Sequence, residues 1–397
     1  MNIRGYLILV LAGILNFGII QAQWKTEKCP TRNNLNAISF SSSNSGWIVG
    51  DKGVILKKSD SGWSVCQNPT SENLYSVFMI DENNGWAVGA RGTIIRFDGK
   101  NWQLFDSPTD KNLLSVSFKD SKNGIAVGRF GTIVLFKDGK WSLMENKIRG
   151  DLFAADFRND EIWFGGGLEC VKVPLMKLSL SKGGNELTSS LNSFATINDL
   201  TFIKPDNGWA VGSPGILMHF DGQQWESKEI DERFSSLKSV FFSDENNGIS
   251  AGYNGTILTF SGDKWKKENS HVIQNLNGVT IAGNDYYAVG NKGTIVTKKL
   301  AINNDVANRG QKMWEVQLYP NPCDEFVSLV FPSESFNSIG LITITNSYGQ
   351  VFVQKKIRLE NGNFTYQVST QSLNNGLYML KTLVDGKMTI NKFVVSH

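Results

Sequence analysis

Histidine is nearly absent: His219, His271 and His397 are the only three in 397 residues. That scarcity argues against a histidine-built metal centre or a histidine-dependent triad. Cysteine is sparse, with four residues, which fits an exported chain but makes no dense disulfide framework. Neither sign of charge is in excess: 40 Lys and Arg against 37 Asp and Glu leave a formal net charge of +3, so bulk electrostatics name no partner and give no nucleic-acid footprint. Beyond residue 22 no apolar run is long enough to cross a bilayer as a helix. Phosphate loops, nucleophile elbows and cysteine–histidine pairs are missing as well.

Residues 1–22 have Arg4 near the start, an apolar run from Leu7 to Leu15, and Ala22 before Gln23. This pattern predicts a cleaved secretory signal, although Ile20 stands where a small residue is preferred.

Glycine and tryptophan are plentiful, with 39 and 11 residues, and they recur in order. Gly85–Phe97 reads G-W-A-V-G-A-R-G-T-I-I-R-F, two apolar runs joined by a glycine-flanked turn, as expected of an antiparallel hairpin. The same pattern returns at Gly46, Gly124, Gly208 and Gly248 and, less fully, at Tyr287. From Gly50 to Gly89 is 39 residues and from Gly89 to Gly128 is 39 again. A period near forty with four strand-sized pieces per repeat predicts one propeller blade per period. First strands begin near Leu35, Leu74, Leu113, Leu152, Ile197, Leu237 and Leu276, which gives seven blades across residues 23–300. The fourth is degenerate: Glu169 replaces the second glycine, and Lys172–Ala195 is long and lacks the usual tryptophan. A distorted blade with an extended outer loop is expected there.

The seventh repeat ends at Thr294–Lys299 without a fourth strand. Trp24 precedes Pro30 and Leu35 as Trp63 precedes Pro69 and Leu74, so Gln23–Lys28 is an outer strand without a blade of its own. Pairing the two closes the ring and removes two open sheet edges. Tryptophans such as Trp47, Trp86 and Trp209 are expected to fill the space between sheets. Gly50, Gly53, Gly89 and Gly92 are expected to supply positive φ in the tight turns. Cys29 and Cys66 lie in corresponding parts of adjacent repeats; a bridge between them is open, and two free, partly buried thiols are the preferred reading.

Residues 301–316 are polar and read as a linker. From 317 to 397 the chain returns to short strands, Val327–Phe331, Gly340–Thr345, Val351–Ile357, Asn363–Val368, Tyr378–Leu383 and Met388–Val395, as expected of a small immunoglobulin-like β-sandwich. The whole chain is therefore all-β.

Two resemblances follow from these residues. Leu318-Tyr319-Pro320-Asn321-Pro322, Ile342–Thr345 with Gly349-Gln350, Leu373–Tyr378 and Lys392–Val395 resemble the C-terminal sorting domain of type IX secretion. The resemblance implies a bacterium of the Bacteroidota, Sec export, recognition of residues 317–397 by the secretion machinery, and a passenger that is released or held at the cell surface. The repeats resemble photosystem II assembly-factor-like propellers through G-W-A-V-G-x-x-G-T-I and a following Asp-Gly-x-x-Trp. Phe97-Asp98-Gly99…Trp102 and Phe220-Asp221-Gly222…Trp225 also resemble Asp-box repeats of sialidase-type propellers. A type IX tail does not belong on a photosynthetic assembly factor, so this likeness implies the fold and not that role.

A sialidase-like hydrolase needs clustered arginines, an acid and a nucleophile. The propeller's arginines are Arg32, Arg91, Arg96, Arg129, Arg149, Arg158 and Arg233, and none sits in a catalytic motif. Asp81–Asn84 and Asp244–Asn247 lack the ligand spacing of a calcium loop and read as solvated turns. No catalytic residue, metal or cofactor is expected.

The turns between second and third strands should share one face of the ring: Asp51-Lys52, Ala90-Arg91, Arg129-Phe130, Gly167-Leu168, Ser213-Pro214, Tyr253-Asn254 and Asn291-Lys292. The opposite face collects Asp81, Glu82, Asp98, Asp120, Asp206, Asp221, Asp244 and Glu245. Lys52, Arg91, Arg129 and Lys292, with Phe130 and Tyr253, are the candidate ligand contacts, for an anionic glycan or an acidic protein surface. The expectation is a monomeric, non-enzymatic binding propeller outside the cell. The alternative is a propeller glycoside hydrolase acting on extracellular glycans, which a recessed acidic cluster with arginines would favour.

Overall fold

The computed structural model describes residues 23–167, 175–179, 187–191, 196–230, 232–262, 264–300, 316–331, 338–346, 351–359, 365–384 and 387–397. The expected signal at 1–22, the linker at 301–315 and most of the fourth blade's loops lie outside them. The chain divides into two compact units, Met1–Ala301 and Ile302–His397.

Among the described residues of the first unit are seven four-stranded antiparallel sheets. Blade 1 is Leu35–Ser42, Ser45–Gly50, Ile55–Ser59 and Gly62–Val65. Blades 2, 3, 5 and 6 repeat that order, starting at Leu74, Leu113, Thr196 and Leu237. Blade 4, starting at Asp151, keeps four strands, with Leu175–Ser179 and Leu187–Leu191 as its outer pair and a register shift between them. Blade 7 is Leu276–Ala282, Asp285–Gly290 and Thr294–Lys299, completed by Lys25–Thr26. Lys25 pairs with Thr297 and Thr26 with Val296, and the Glu27 N–H donates to the Ile295 carbonyl at 2.9 Å. The N-terminal strand therefore closes the ring as the tryptophan spacing requires.

The core is not one mass but seven. Each hydrophobic cluster joins two consecutive sheets, from Trp47, Ile55, Leu74 and Trp102 between blades 1 and 2 to Leu35, Trp63, Tyr287 and Ile295 between blades 7 and 1. Second-strand aromatics sit in these clusters and are capped from the neighbouring third strand. Lys57 lies 5.2 Å from the Trp47 ring, Arg96 5.4 Å from Trp86, and Lys177 5.8 Å from Trp163. The His219 ring lies 4.6 Å from Trp209, tilted by 41°. Each is a cross-strand cation or imidazole over an indole face. Cys29 and Cys66 stay free because they belong to different inter-sheet clusters, and burial raises both thiols above the ordinary range.

The glycines divide differently from expectation. Gly53 and Gly92 do have positive φ, at 68° and 69°. Gly50 and Gly89 are extended, at −162° and −164°. They are glycine because a Cβ would collide with the Asn34 and Asn73 carbonyl oxygens just ahead of their own first strands.

The second unit is a sandwich of a three-stranded sheet (Gln317–Tyr319, Phe326–Val330, Thr365–Ser369) and a four-stranded one (Val351–Leu359, Ser338–Asn346, Gly376–Val384, Lys387–Val395). Val327, Leu329, Ile342, Ile344, Leu380 and Phe393 fill the space between them. Along Gly376–Val384 every second residue from Tyr378 is buried, as expected of a sheet with one face on the core.

Candidate functional site

The turn between second and third strands takes one form in five blades. In blade 1, Asp51-Lys52-Gly53-Val54 has φ of 57° at Lys52 and 68° at Gly53, and the Val54 N–H returns to the Asp51 carbonyl at 3.3 Å. Two successive positive φ values make a type I′ turn, whose favoured first residue is asparagine, aspartate or glycine. Only blade 6 obeys, with Asn254. The others hold Lys52, Arg91, Phe130 and Lys292 in the left-handed region, at φ of 57°, 50°, 57° and 58°. For such side chains that conformation costs roughly 1–2 kcal/mol each.

The strained turns are held by a latch that the motif reading passed over. The Lys52 N–H donates to Asn73 Oδ1 of the next blade at 2.8 Å, and that of Arg91 to Asn112 at 2.9 Å. Phe130 uses Asp151 at 3.0 Å, and Asn254 uses Asn275 at 3.1 Å. Lys292 closes the circle on Asn34 at 3.1 Å. Each acceptor immediately precedes the leading leucine of its blade. Blades 5 and 6 have Thr196 and Ser236 there instead.

The six expected contacts fall into two groups. Lys52, Arg91, Phe130 and Lys292 are the turn tips. All are exposed; the Arg91 side chain is 81% accessible with Glu72 at 3.5 Å, and Phe130 is 69% accessible. Arg129 and Tyr253 precede the tips and are themselves partly exposed, but each is engaged by a neighbouring side chain. Arg129 is ion-paired with Asp151 and lies 5.8 Å from the Phe153 ring, so it is part of the latch between blades 3 and 4. Tyr253 is covered by the Lys238 ammonium at 5.1 Å. The turn expected at Gly167-Leu168 runs outside the described residues. On the opposite face Asp81, Asp98, Asp120, Asp221 and Asp244 accept backbone N–H groups of their own turns. Those carboxylates serve the turns.

A central channel of about 460 Å³ opens between the first strands. Tyr75, Leu114 and Phe153 line one arc near the turn face, and Asn198, Lys238, Asn277 and Asn36 line the other. Deeper in, first-strand side chains bridge neighbouring blades. Ser39, Ser76, Ser115 and Ser239 accept from Met79, Val116, Ala155 and Val279 backbone N–H groups. Between blades 4 and 5 the acceptor is Asp156, taking the Phe202 N–H at 2.9 Å; between blades 5 and 6 it is Asp199, taking that of Val240 at 2.9 Å. At these two junctions no tip latch occurs among the described residues, and the channel acceptor is a carboxylate instead of a serine. Burial pushes Asp156 up to about 6 and Asp199 up to about 7, the latter also feeling the Asp156 charge. The carboxylates are recessed, but no arginine lines the channel among the described residues. Arg96 and Arg158 cover the Trp86 and Phe220 rings instead.

Residues 317–396 match the family model of the secretion system C-terminal sorting domain. A comparison with curated proteins finds no match. Among solved structures, "YCF48 bound to D1 peptide" is similar at TM-score 0.56 and 17% identity, covering 70% of this chain and 96% of that one. YCF48 from Cyanidioschyzon merolae is similar at 0.55 and 18%, covering 70% and 99%. The WD40 propeller domain of Doa1 is similar at 0.58 and 14%, covering 71% and 98%. At such identities the likeness establishes the fold, a β-propeller, and no more.

Proposed function

We propose that the propeller is a non-enzymatic binding module that works outside the cell, at the surface of the outer membrane or released from it. In this reading Sec export through residues 1–22 is followed by type IX secretion through residues 317–397, in a member of the Bacteroidota. The partner sits on the turn face. The observation that carries this is the set of left-handed tips: Lys52, Arg91, Phe130 and Lys292 stay where asparagine or glycine would fold more cheaply. Three of these four are cationic and one is aromatic, which fits an anionic glycan or an acidic protein surface. Arg129 and Tyr253 flank those tips, held by Asp151 and Lys238. YCF48 has been solved bound to a D1 peptide; it serves here as a precedent for a propeller of this shape holding a polypeptide.

The hydrolase reading draws on Asp156 and Asp199, which are recessed and have raised pKa values. Both carboxylates are already committed to backbone donors of the next blade, and among the described residues the channel gives them no arginine partner. A glycan array probed with the mature protein, with turnover assayed alongside, separates the two. Salt-sensitive retention without turnover supports binding; released sugar would overturn it.

A further inference from the structure

Blade packing follows one pattern except around the closing blade. In blades 2, 3, 5 and 6 a third-strand phenylalanine pairs with the outer-strand tryptophan, as Phe97 with Trp102 and Phe136 with Trp141. Blade 1 has Lys58 at that position, paired with Trp63. Blade 7 has Lys298, one residue beyond the Thr297–Lys25 pair and so level with Trp24. Three residues after the outer tryptophan, blade 2 has Phe105, which packs 6.4 Å from Phe136 of blade 3. The closing strand has Glu27 at that position and blade 6 has Glu268.

These substitutions meet. Glu27 accepts from Trp63 Nε1 at 2.7 Å and from Lys58 Nζ at 2.9 Å, joining blades 7 and 1. Glu268 accepts from Trp24 Nε1 at 2.7 Å and from Lys298 Nζ at 2.6 Å, joining blades 6 and 7. The second pair is well buried, with side chains 9% and 14% accessible. The outer tryptophans Trp102, Trp141, Trp225 and Trp265, by contrast, have indole N–H groups buried without a partner. A Trp–Glu–Lys triad thus stands on each side of blade 7, and the N-terminal strap supplies one member to each: Trp24 to the first, Glu27 to the second.

We propose that the two triads mark the seam, so that the strap, and none of the similar tryptophan-bearing outer strands, completes the seventh sheet. The repeats are alike enough to compete. A strap replaced by the Trp102–Phe105 sequence would bring a phenylalanine to Lys58 and leave a half-buried ammonium without its carboxylate, a mismatch. The apolar pair used between blades 2 and 3 would hold such a seam as firmly, because replacing a buried ion pair by packed apolar groups is often neutral or stabilising. The ionic version adds selectivity of closure.

The test is refolding of the full chain from denaturant. E27F/K58F combined with E268F/K298F should melt at or above the wild-type temperature, yet its yield of monomer should fall severalfold, the remainder appearing as oligomers on size-exclusion chromatography. Wild-type monomer yield from that variant would overturn the proposal. E27K alone should also lower the yield, and E27K/K58E should recover most of it. If E27K refolds normally, or the reversed pair shows no recovery, the triads do not select the seam.

Discussion

The backbone N–H of Lys292 donates to the side-chain oxygen of Asn34 at 3.1 Å, across 258 residues of sequence. The bond repeats what Lys52 makes with Asn73 one blade on, so the last turn treats the first blade as its next neighbour. Ring closure is therefore built at three radii: the tip latch, the Asn277 Nδ2 bond to the Leu35 carbonyl at 2.8 Å near the channel, and the outer strap.

Replacing Asn34 by alanine should lower unfolding stability by about 0.5–1.5 kcal/mol, the range of a typical net hydrogen bond. Asn73→Ala should cost a similar amount, since it removes the equivalent latch. Urea unfolding of both variants checks this; a seam latch worth nothing while Asn73 matters would break the equivalence.

Removing the strap should do far more. Trp24 is buried against Ile249, Leu276 and Tyr286. Trp24→Ala should cost about 3–5 kcal/mol as a core truncation. A chain starting at Thr31 should also expose the edge of Thr294–Lys299 and melt less cooperatively. Calorimetry of the two variants reads both effects.

The recessed carboxylates predict a pH dependence of defined sign. Asp156 and Asp199 have folded pKa values of about 6 and 7, above the ordinary aspartate value of 3.8. The folded state binds more protons, so their contribution is fully present below pH about 4 and is lost as pH rises through about 7. Its size is on the order of a few kcal/mol. Other blades use serine at these positions, as at Ser39 and Ser239. D156S/D199S should therefore keep neutral acceptors, flatten the stability profile between pH 4 and 7, and melt higher than wild type at pH 8. An unchanged slope would show that the carboxylates do not titrate with folding.

Much of this was legible in the sequence, and the reasons are physical. A period of about 39 residues can only stack like on like, and Trp24 announced a strand with no blade. The latch was less visible because Asn34, Asn73, Asn112 and Asn275 look like ordinary polar residues ahead of a strand. Their role depends on which blade's turn approaches them. The left-handed tips were missed because glycine was credited with the turn's positive φ, while Gly50 and Gly89 answer to crowding instead. Arg129 looked like a free cation, and only packing reveals Asp151 beside it. Lys58, Lys298, Glu27 and Glu268 were readable as departures from the repeat, but their pairing needed the closed ring.

The step beyond the periplasm should depend on the tail. A chain ending at Lys312 should fold its propeller, reach the periplasm and stop there, since residues 317–396 carry the sorting-domain match. Fractionation of the native host reads the outcome; truncated protein in the medium of intact cells would remove the secretion assignment.

The central claim is that the tips hold an anionic partner. Arg129 is unsuitable for testing it, because Arg129→Glu would set a second carboxylate against Asp151 and disturb the latch. Lys52, Arg91 and Lys292 are exposed and can be reversed without touching the core. The direct measurement is salt elution of the mature protein from a sulfated-polysaccharide column, wild type against K52E/R91E/K292E. Exposed charges are screened within about 8 Å at physiological ionic strength, so wild-type retention should fall steeply with added salt. The account predicts that wild type is retained at low salt and the triple variant flows through with an unchanged melting temperature. Equal elution of the two, with both folded, would contradict it.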